Sequence, residues 1–142
     1  MTGVAGFIGS ILAARLLGEG HEVIGVDDLS MGRKSAVPAG VDFIEGNCAE
    51  NDLAKRLPKK VDQVFHLAGQ SSGEISFDDP IADLEKNTVS TLNLIRYGID
   101  ANVERFLYAS SMSVYGATLD APIAESHSAL PLSCYGDRKS VV

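Results

Sequence analysis

The chain has 142 residues, with 19 acidic against 12 basic side chains, a formal charge of −7 and 45% apolar residues. That balance fits one globular domain and excludes a disordered chain, which has too little apolar content to bury a core. No apolar run approaches the roughly 18 residues of a membrane span, and the acidic surface argues against a general nucleic-acid binder.

The predicted elements alternate. Ile8 to Leu17 reads as a helix with Ile8, Leu12, Leu16 and Leu17 on one face, ended by Gly18 and Gly20. Glu22 to Asp27 is a short apolar strand, residues 28 to 40 are a loop, and Val41 to Glu45 is a second strand. Asn51 to Leu57 is a short helix with Asn51 as its expected cap, and Val61 to Leu67 is a third strand followed by a Gly/Ser loop. A long helix is expected from Pro80 or Ile81 to about Ala101, with Leu84, Val89, Leu92, Leu94 and Ile95 as its apolar face. Arg105 to Ser110 is a fourth strand, residues 116 to 134 carry two prolines and little periodicity, and a last helix begins near Tyr135. Strands separated by helices give the α/β class: a doubly wound parallel sheet of Rossmann type with ligands beyond the carboxyl ends of the strands.

Gly3, Gly6 and Gly9 stand three apart and lead into the first helix. One glycine permits a tight turn, one lets the backbone approach a pyrophosphate, and one lets helix and sheet pack closely. The helix N-terminus then offers open N–H groups and a positive dipole end. Asp27 ends the next strand eighteen residues after Gly9, near the spacing at which a dinucleotide fold places a carboxylate on the adenosine ribose. A carboxylate there repels a 2′-phosphate and favours NAD over NADP, although Arg33 and Lys34 follow closely.

Tyr135 and Lys139 are four apart, so on a helix they share a face. An ammonium beside a phenol favours the phenolate and makes the tyrosine a usable base. Ser110 and Ser111 end an apolar strand, where a hydroxyl meets ligand in a parallel sheet.

Taken together these segments resemble the extended short-chain dehydrogenase/reductase family, in its NAD-dependent sugar-nucleotide epimerase/dehydratase branch. Thr2 to Ser10 resembles its phosphate loop, Val26 to Arg33 its ribose-binding strand end, and His66 to Ser72 the loop beside the cofactor ribose and nicotinamide. Asp79 to Asn87, Tyr108 to Gly116 and Tyr135 to Lys139 complete the match over nearly the whole chain. The resemblance implies that Gly3, Gly6, Phe7, Ile8 and Gly9 hold the pyrophosphate, and that Asp27, Asp28 and Leu29 hold the ribose. By the same resemblance Asn47 and Cys48 face adenine, Leu67, Ala68 and Gly69 line the cofactor, and Asn87 lies under the active site. Tyr135 is then the acid/base on a sugar hydroxyl, Lys139 holds the nicotinamide ribose, and Ser111 bonds the same sugar oxygen. Gln70, Met112 and Ser113 join Ser111 and Tyr135 as expected substrate residues. The implied cofactor is NAD, the substrate a nucleoside-diphosphate sugar (a UDP-sugar) oxidised transiently at C4, and the assembly a homodimer. No metal, nucleic acid or membrane partner is implied.

The sequence departs from the family in three places. Asn47 stands where an aspartate is common, and Cys134 where a proline is common. Met112 and Ser113 replace the acidic pair that 4,6-dehydratases use for elimination, so an epimerase ranks above a dehydratase, while a decarboxylase or reductase needs only the same core. A non-catalytic NAD-binding module and an incomplete piece without activity are the alternatives. Neither end reads as a domain boundary: the strand expected before Gly3 and the C-terminal substrate part are absent, so residues 1–142 read as a partial NAD-binding domain.

Of the remaining residues, His21 and the cluster Lys55, Arg56, Lys59 and Lys60 are expected in solvent, His66 in the core, and Phe106 and Tyr108 in packing. Tyr115 either lines the sugar site or packs, and His127 is expected away from substrate. Cys48 and Cys134 form neither a disulfide framework nor a metal spacing, and no basic leader region opens the chain, so a reducing cytoplasm is the expected compartment.

Overall fold

The computed structural model describes residues 1–117 and 122–140. Residues 118–121 of the proline-bearing segment and residues 141–142 at the end of the expected last helix lie outside the described residues. In chain order the elements are α1 (Phe7–Gly18), β1 (Ile24–Asp27), β2 (Asp42–Glu45), α2 (Leu53–Arg56), β3 (Gln63–His66), α3 (Gly73–Asp78), α4 (Pro80–Leu84), a π-turn (Glu85–Val89), α5 (Ser90–Asp100), β4 (Arg105–Tyr108) and α6 (Cys134–Arg138). Short 3₁₀ turns occupy Lys34–Ala36 and Met112–Tyr115.

All strand pairs are parallel. β1 pairs with β2 from Ile24–Asp42 to Asp27–Glu45, and β3 with β4 from Gln63–Arg105 to His66–Tyr108. Thr2 bridges both Val26 and His66, so residues 1–3 join the two pairs in the order β2, β1, residues 1–3, β3, β4. Thr2 N donates to Phe65 O, Gly3 N to Val26 O, and Val26 N to Met1 O, at 2.8–2.9 Å. A short stretch of backbone thus stands at the sheet centre, ahead of the glycine loop, in the place where a first strand is expected.

Neighbouring residues of β2 enter different clusters, Phe43 on one face and Ile44 on the other, which is how a sheet covered on both faces is built. Val4, Ala13 and Val23 pack with Leu16, Leu17, Val41 and Phe43 beneath α1. Val26, Cys48, Leu53 and Leu94 pack with Ile44 and Phe106 on the opposite face, against α2 and α5. Val64, Tyr97 and Ala101 extend that second layer.

Four expectations change. Ile8 does not face the core: it is 65% exposed, and Gly9 and Ala13 form the buried face of α1, because close approach to the glycine loop leaves room only for small residues. The Gly/Ser loop after β3 holds a helix, α3, capped by Ser72 Oγ accepting from Ile75 N. The long helix is interrupted by the π-turn, and of its expected face only Leu94 is buried; Leu84, Leu92 and Ile95 face outward. Asp52, not Asn51, precedes α2, and its side chain makes no capping bond.

Candidate active site and cofactor cleft

The glycine loop is built by close approach. Gly3 has φ +72°, and a Cβ there would lie 2.8 Å from Ala68 N. A Cβ on Gly9 would lie 2.0 Å from Gly3 O. Gly6 caps α1 without a side chain, so the first N–H groups of a twelve-residue helix stay open to an anion.

Asp27 locks this loop to the next one. Its Oδ2 accepts from Ala5 N at 3.0 Å and its Oδ1 from Leu29 N at 2.9 Å. Leu29 is held at φ 57°, a left-handed conformation that a leucine adopts at a cost of about 1 kcal/mol. Asp28 Oδ1 accepts from Ser30 N and Oγ.

A cleft of about 320 Å³ opens beside these carboxylates. Of the expected cofactor residues it is lined by Asp27, Asp28, Asn47, Cys48, Ala68 and Gly69, and Gln70, expected at the substrate, lies in its wall. Ser30, Gly32, Lys86 and Ser90 also line it. Ser30 and Gly32 fall in the Val26–Arg33 segment expected at the ribose, whereas Lys86 and Ser90 were not expected here. Burial, then the charges of Asp28 and Asp27, push the Cys48 thiol up to about 12, so it is a neutral part of the wall. Lys34 lies 3.9 Å from Glu45 and 5.5 Å from the Phe43 ring, and it does not line the cleft.

Lys139, at the C-terminal end of α6, reaches the Gly69 edge of that cleft. Ser133 Oγ accepts from Gly136 N and starts α6. Gly136 lets α6 approach the Met112–Tyr115 turn, since a Cβ there would lie 2.6 Å from Ser113 O. Ser110 Oγ donates to Lys139 O at 2.6 Å, and Tyr108 OH donates to Arg138 O at 3.3 Å. These bonds pin α6 over the carboxyl end of β4. They also commit Ser110, leaving Ser111 as the strand-end hydroxyl, with its Oγ accepting from Ser113 N.

Tyr135 and Lys139 are both buried. Lys139 Nζ donates to Ala109 O at 3.2 Å and lies 4.7 Å from the Tyr108 ring centre and 5.9 Å from that of Tyr135. Burial lowers its amine to about 8. A Cβ on Gly69 would meet both Asn87 Oδ1, at 2.5 Å, and Lys139 Nζ, at 3.3 Å. Among the described residues, Asn87 Oδ1 is the buried side-chain atom without a hydrogen-bond partner. An acceptor and an ammonium therefore flank one spot beside the cleft, the donor set that suits a ribose hydroxyl. With the glycine cradle, this fits a dinucleotide.

A second, open cleft of about 650 Å³ is lined by Ser110, Ser111, Met112, Val114, Tyr115, Pro122 and Ile123. It brings two of the expected substrate residues, Ser111 and Met112, together with Tyr115; Ser113 meets α6 through its carbonyl. Gln70 stands apart, its amide engaged by Ser72 and Asp83. His127 is exposed.

The chain is 38% identical over 98% of its length to a UDP-glucose 4-epimerase of Mycolicibacterium smegmatis, covering 47% of that protein. It is 35% identical over 99% of its length to UDP-glucuronic acid decarboxylase 1 of Xenopus tropicalis, covering 34% of it. The crystal structure of the Thermus thermophilus UDP-glucose 4-epimerase in complex with NAD superposes with a TM-score of 0.91 at 33% identity, over 97% of this chain and 46% of that one. The chain spans less than half the length of these relatives. The family model described as "NAD dependent epimerase/dehydratase family" matches residues 1–142. The chain belongs to that family.

Proposed function

We propose that the protein is an NAD-dependent epimerase acting on a nucleoside-diphosphate sugar, a UDP-sugar, by transient oxidation at C4. Residues 1–142 are its cofactor-binding part. The observation that carries this reading is the place of Lys139: its ammonium lies between the Tyr135 ring and the Gly69–Asn87 corner of the cofactor cleft. Bound NAD supplies the acceptor for the C4 hydride and its return. Tyr135 takes the proton from the sugar hydroxyl oxygen and gives it back. Ser111 bonds that oxygen, and Lys139 favours the phenolate while holding the nicotinamide ribose. Gly3, Gly6, Phe7, Ile8 and Gly9 hold the pyrophosphate; Asp27, Asp28 and Leu29 hold the adenosine ribose, and Asn47 and Cys48 flank adenine.

Met112 and Ser113 offer no carboxyl for elimination, which favours epimerisation over dehydration. The decarboxylase relative supports a second reading, a decarboxylase or reductase built on the same core. Both relatives act, by name, on UDP-sugars, which supports that substrate class. A homodimer is supported by Ile81, Leu84, Leu92, Ile95 and Ile99, all exposed at spacings of three, four or multiples near them along one helical stretch. No helix among the described residues is long and apolar enough to cross a membrane; a cytoplasmic site fits two free cysteines.

The test is to incubate the intact protein with UDP-glucose and with UDP-GlcNAc and to look for C4 epimers and bound NAD. Tyr135→Phe is expected to lower turnover by about 10²-fold to 10⁴-fold, the usual share of a general acid/base. Normal epimerisation by Tyr135→Phe overturns the mechanism.

A further inference from the structure

Asp83 on α4 is completely buried, and three elements converge on it. From the loop after β3, Gln70 Nε2 donates to its Oδ1 at 3.1 Å. From the π-turn, Asn87 Nδ2 donates to the same oxygen at 2.9 Å. From α6, the Arg138 guanidinium pairs with Oδ2. Each element also carries a residue of the site: Gly69, Asn87, and the pair Tyr135 and Lys139.

The carboxylate decides which way the Asn87 amide faces. An ionised carboxylate only accepts hydrogen bonds, so it draws the amide nitrogen and repels the amide oxygen. Asn87 Oδ1 is thereby turned toward Gly69 and Lys139, where it has no protein partner. The reverse orientation would set two oxygens against each other at Asp83 and two donors side by side at Lys139. Arg138 supplies the counter-ion that a buried carboxylate needs.

We propose that Asp83, neutralised by Arg138, is the positioning residue for the nicotinamide end of the cleft, acting through the orientation of Asn87 and the seating of the helix that carries Lys139. This rests on the proposed cofactor reading, in which Lys139 and Asn87 face the nicotinamide ribose while Asp27 and the glycine loop hold the ADP portion. It therefore concerns NAD and not ADP.

The experiment is calorimetric titration of the full chain with NAD and, separately, with ADP. Arg138→Met is expected to weaken NAD by about tenfold or more and ADP by less than about twofold, while Arg138→Lys, which keeps the charge, stays within about threefold for both. A buried ion pair replaced by apolar side chains ordinarily still folds, so the double variant Asp83→Leu with Arg138→Met is the second probe. It removes the acceptor for Asn87 and is expected to show the same loss confined to NAD. NAD binding left unchanged by these variants, or a loss shared equally by ADP, overturns the inference alone. Failure of the wild-type chain to bind NAD overturns the cofactor reading with it.

Discussion

His66 Nε2 donates to Thr91 Oγ1 across 3.0 Å. The direction is set by the neighbours: the single Thr91 hydroxyl proton goes to Asn87 O at 2.6 Å, so Thr91 can only accept from the ring. Nδ1 is then bare and accepts from Thr2 Oγ1 at 2.7 Å, while Thr2 Oγ1 accepts in turn from Ala68 N. A buried, neutral histidine thus ties the sheet centre to the backbone of Asn87 and to the loop before Gly69.

That arrangement makes stability depend on acid. Burial, followed by the charge of Lys139, lowers the His66 ring from 6.5 to about 4. Between those values the unfolded chain holds a proton that the folded chain does not, so stability falls as pH drops from 6.5 to 4. The loss amounts to about 3 kcal/mol when complete. Urea unfolding at a series of pH values measures it, and His66→Gln should remove this part of the slope. Equal slopes for the two proteins would exclude His66 as the source.

Lys139 acts in the opposite range. Its amine, lowered by burial to about 8, is a cation below that pH and loses its charge above it. NAD affinity should therefore weaken by up to about tenfold per pH unit above 8, the limit for one proton. Over the same range stability should rise, because between about 8 and 10.5 only the unfolded chain holds that proton. Titration calorimetry and unfolding at pH 7, 8 and 9 read both trends. A Lys139→Met protein that keeps the wild-type pH dependence of NAD binding counts against this assignment.

Two glycines of α1 should respond in opposite ways. Gly9→Ala places a methyl group on the Gly3 carbonyl, which cannot yield without moving the glycine loop. We expect a loss of more than about 3 kcal/mol and of NAD binding. At Gly18 an added Cβ meets nothing within 4 Å, and Gly18→Ala should stabilise by up to about 1 kcal/mol through helix propensity. Thermal melts of the two variants decide it; similar shifts would show that the loop can accommodate a side chain.

Apart from α3 and the π-turn, the sequence by itself determined the order of the β and α segments, because short apolar strands and helical periodicity are local signals. It also placed the glycine loop, Asp27 and the Tyr135–Lys139 spacing, since each depends on residues a few positions apart. The tertiary structure decided what depends on distant pairs. Ile8 leaves the core because Gly3 and Gly9 meet, and the expected apolar face of the long helix turns outward because small and polar residues, among them Asp83, Asn87 and Ser90, take the buried side. Asp83 meets its partner Arg138 only across 55 residues of chain. A hydrogen bond or ion pair between remote segments has no period in the sequence, so Lys86, Asp83 and Arg138 carried no local mark. Folding alone set Asp83 against Arg138 and Lys86 against Ser30.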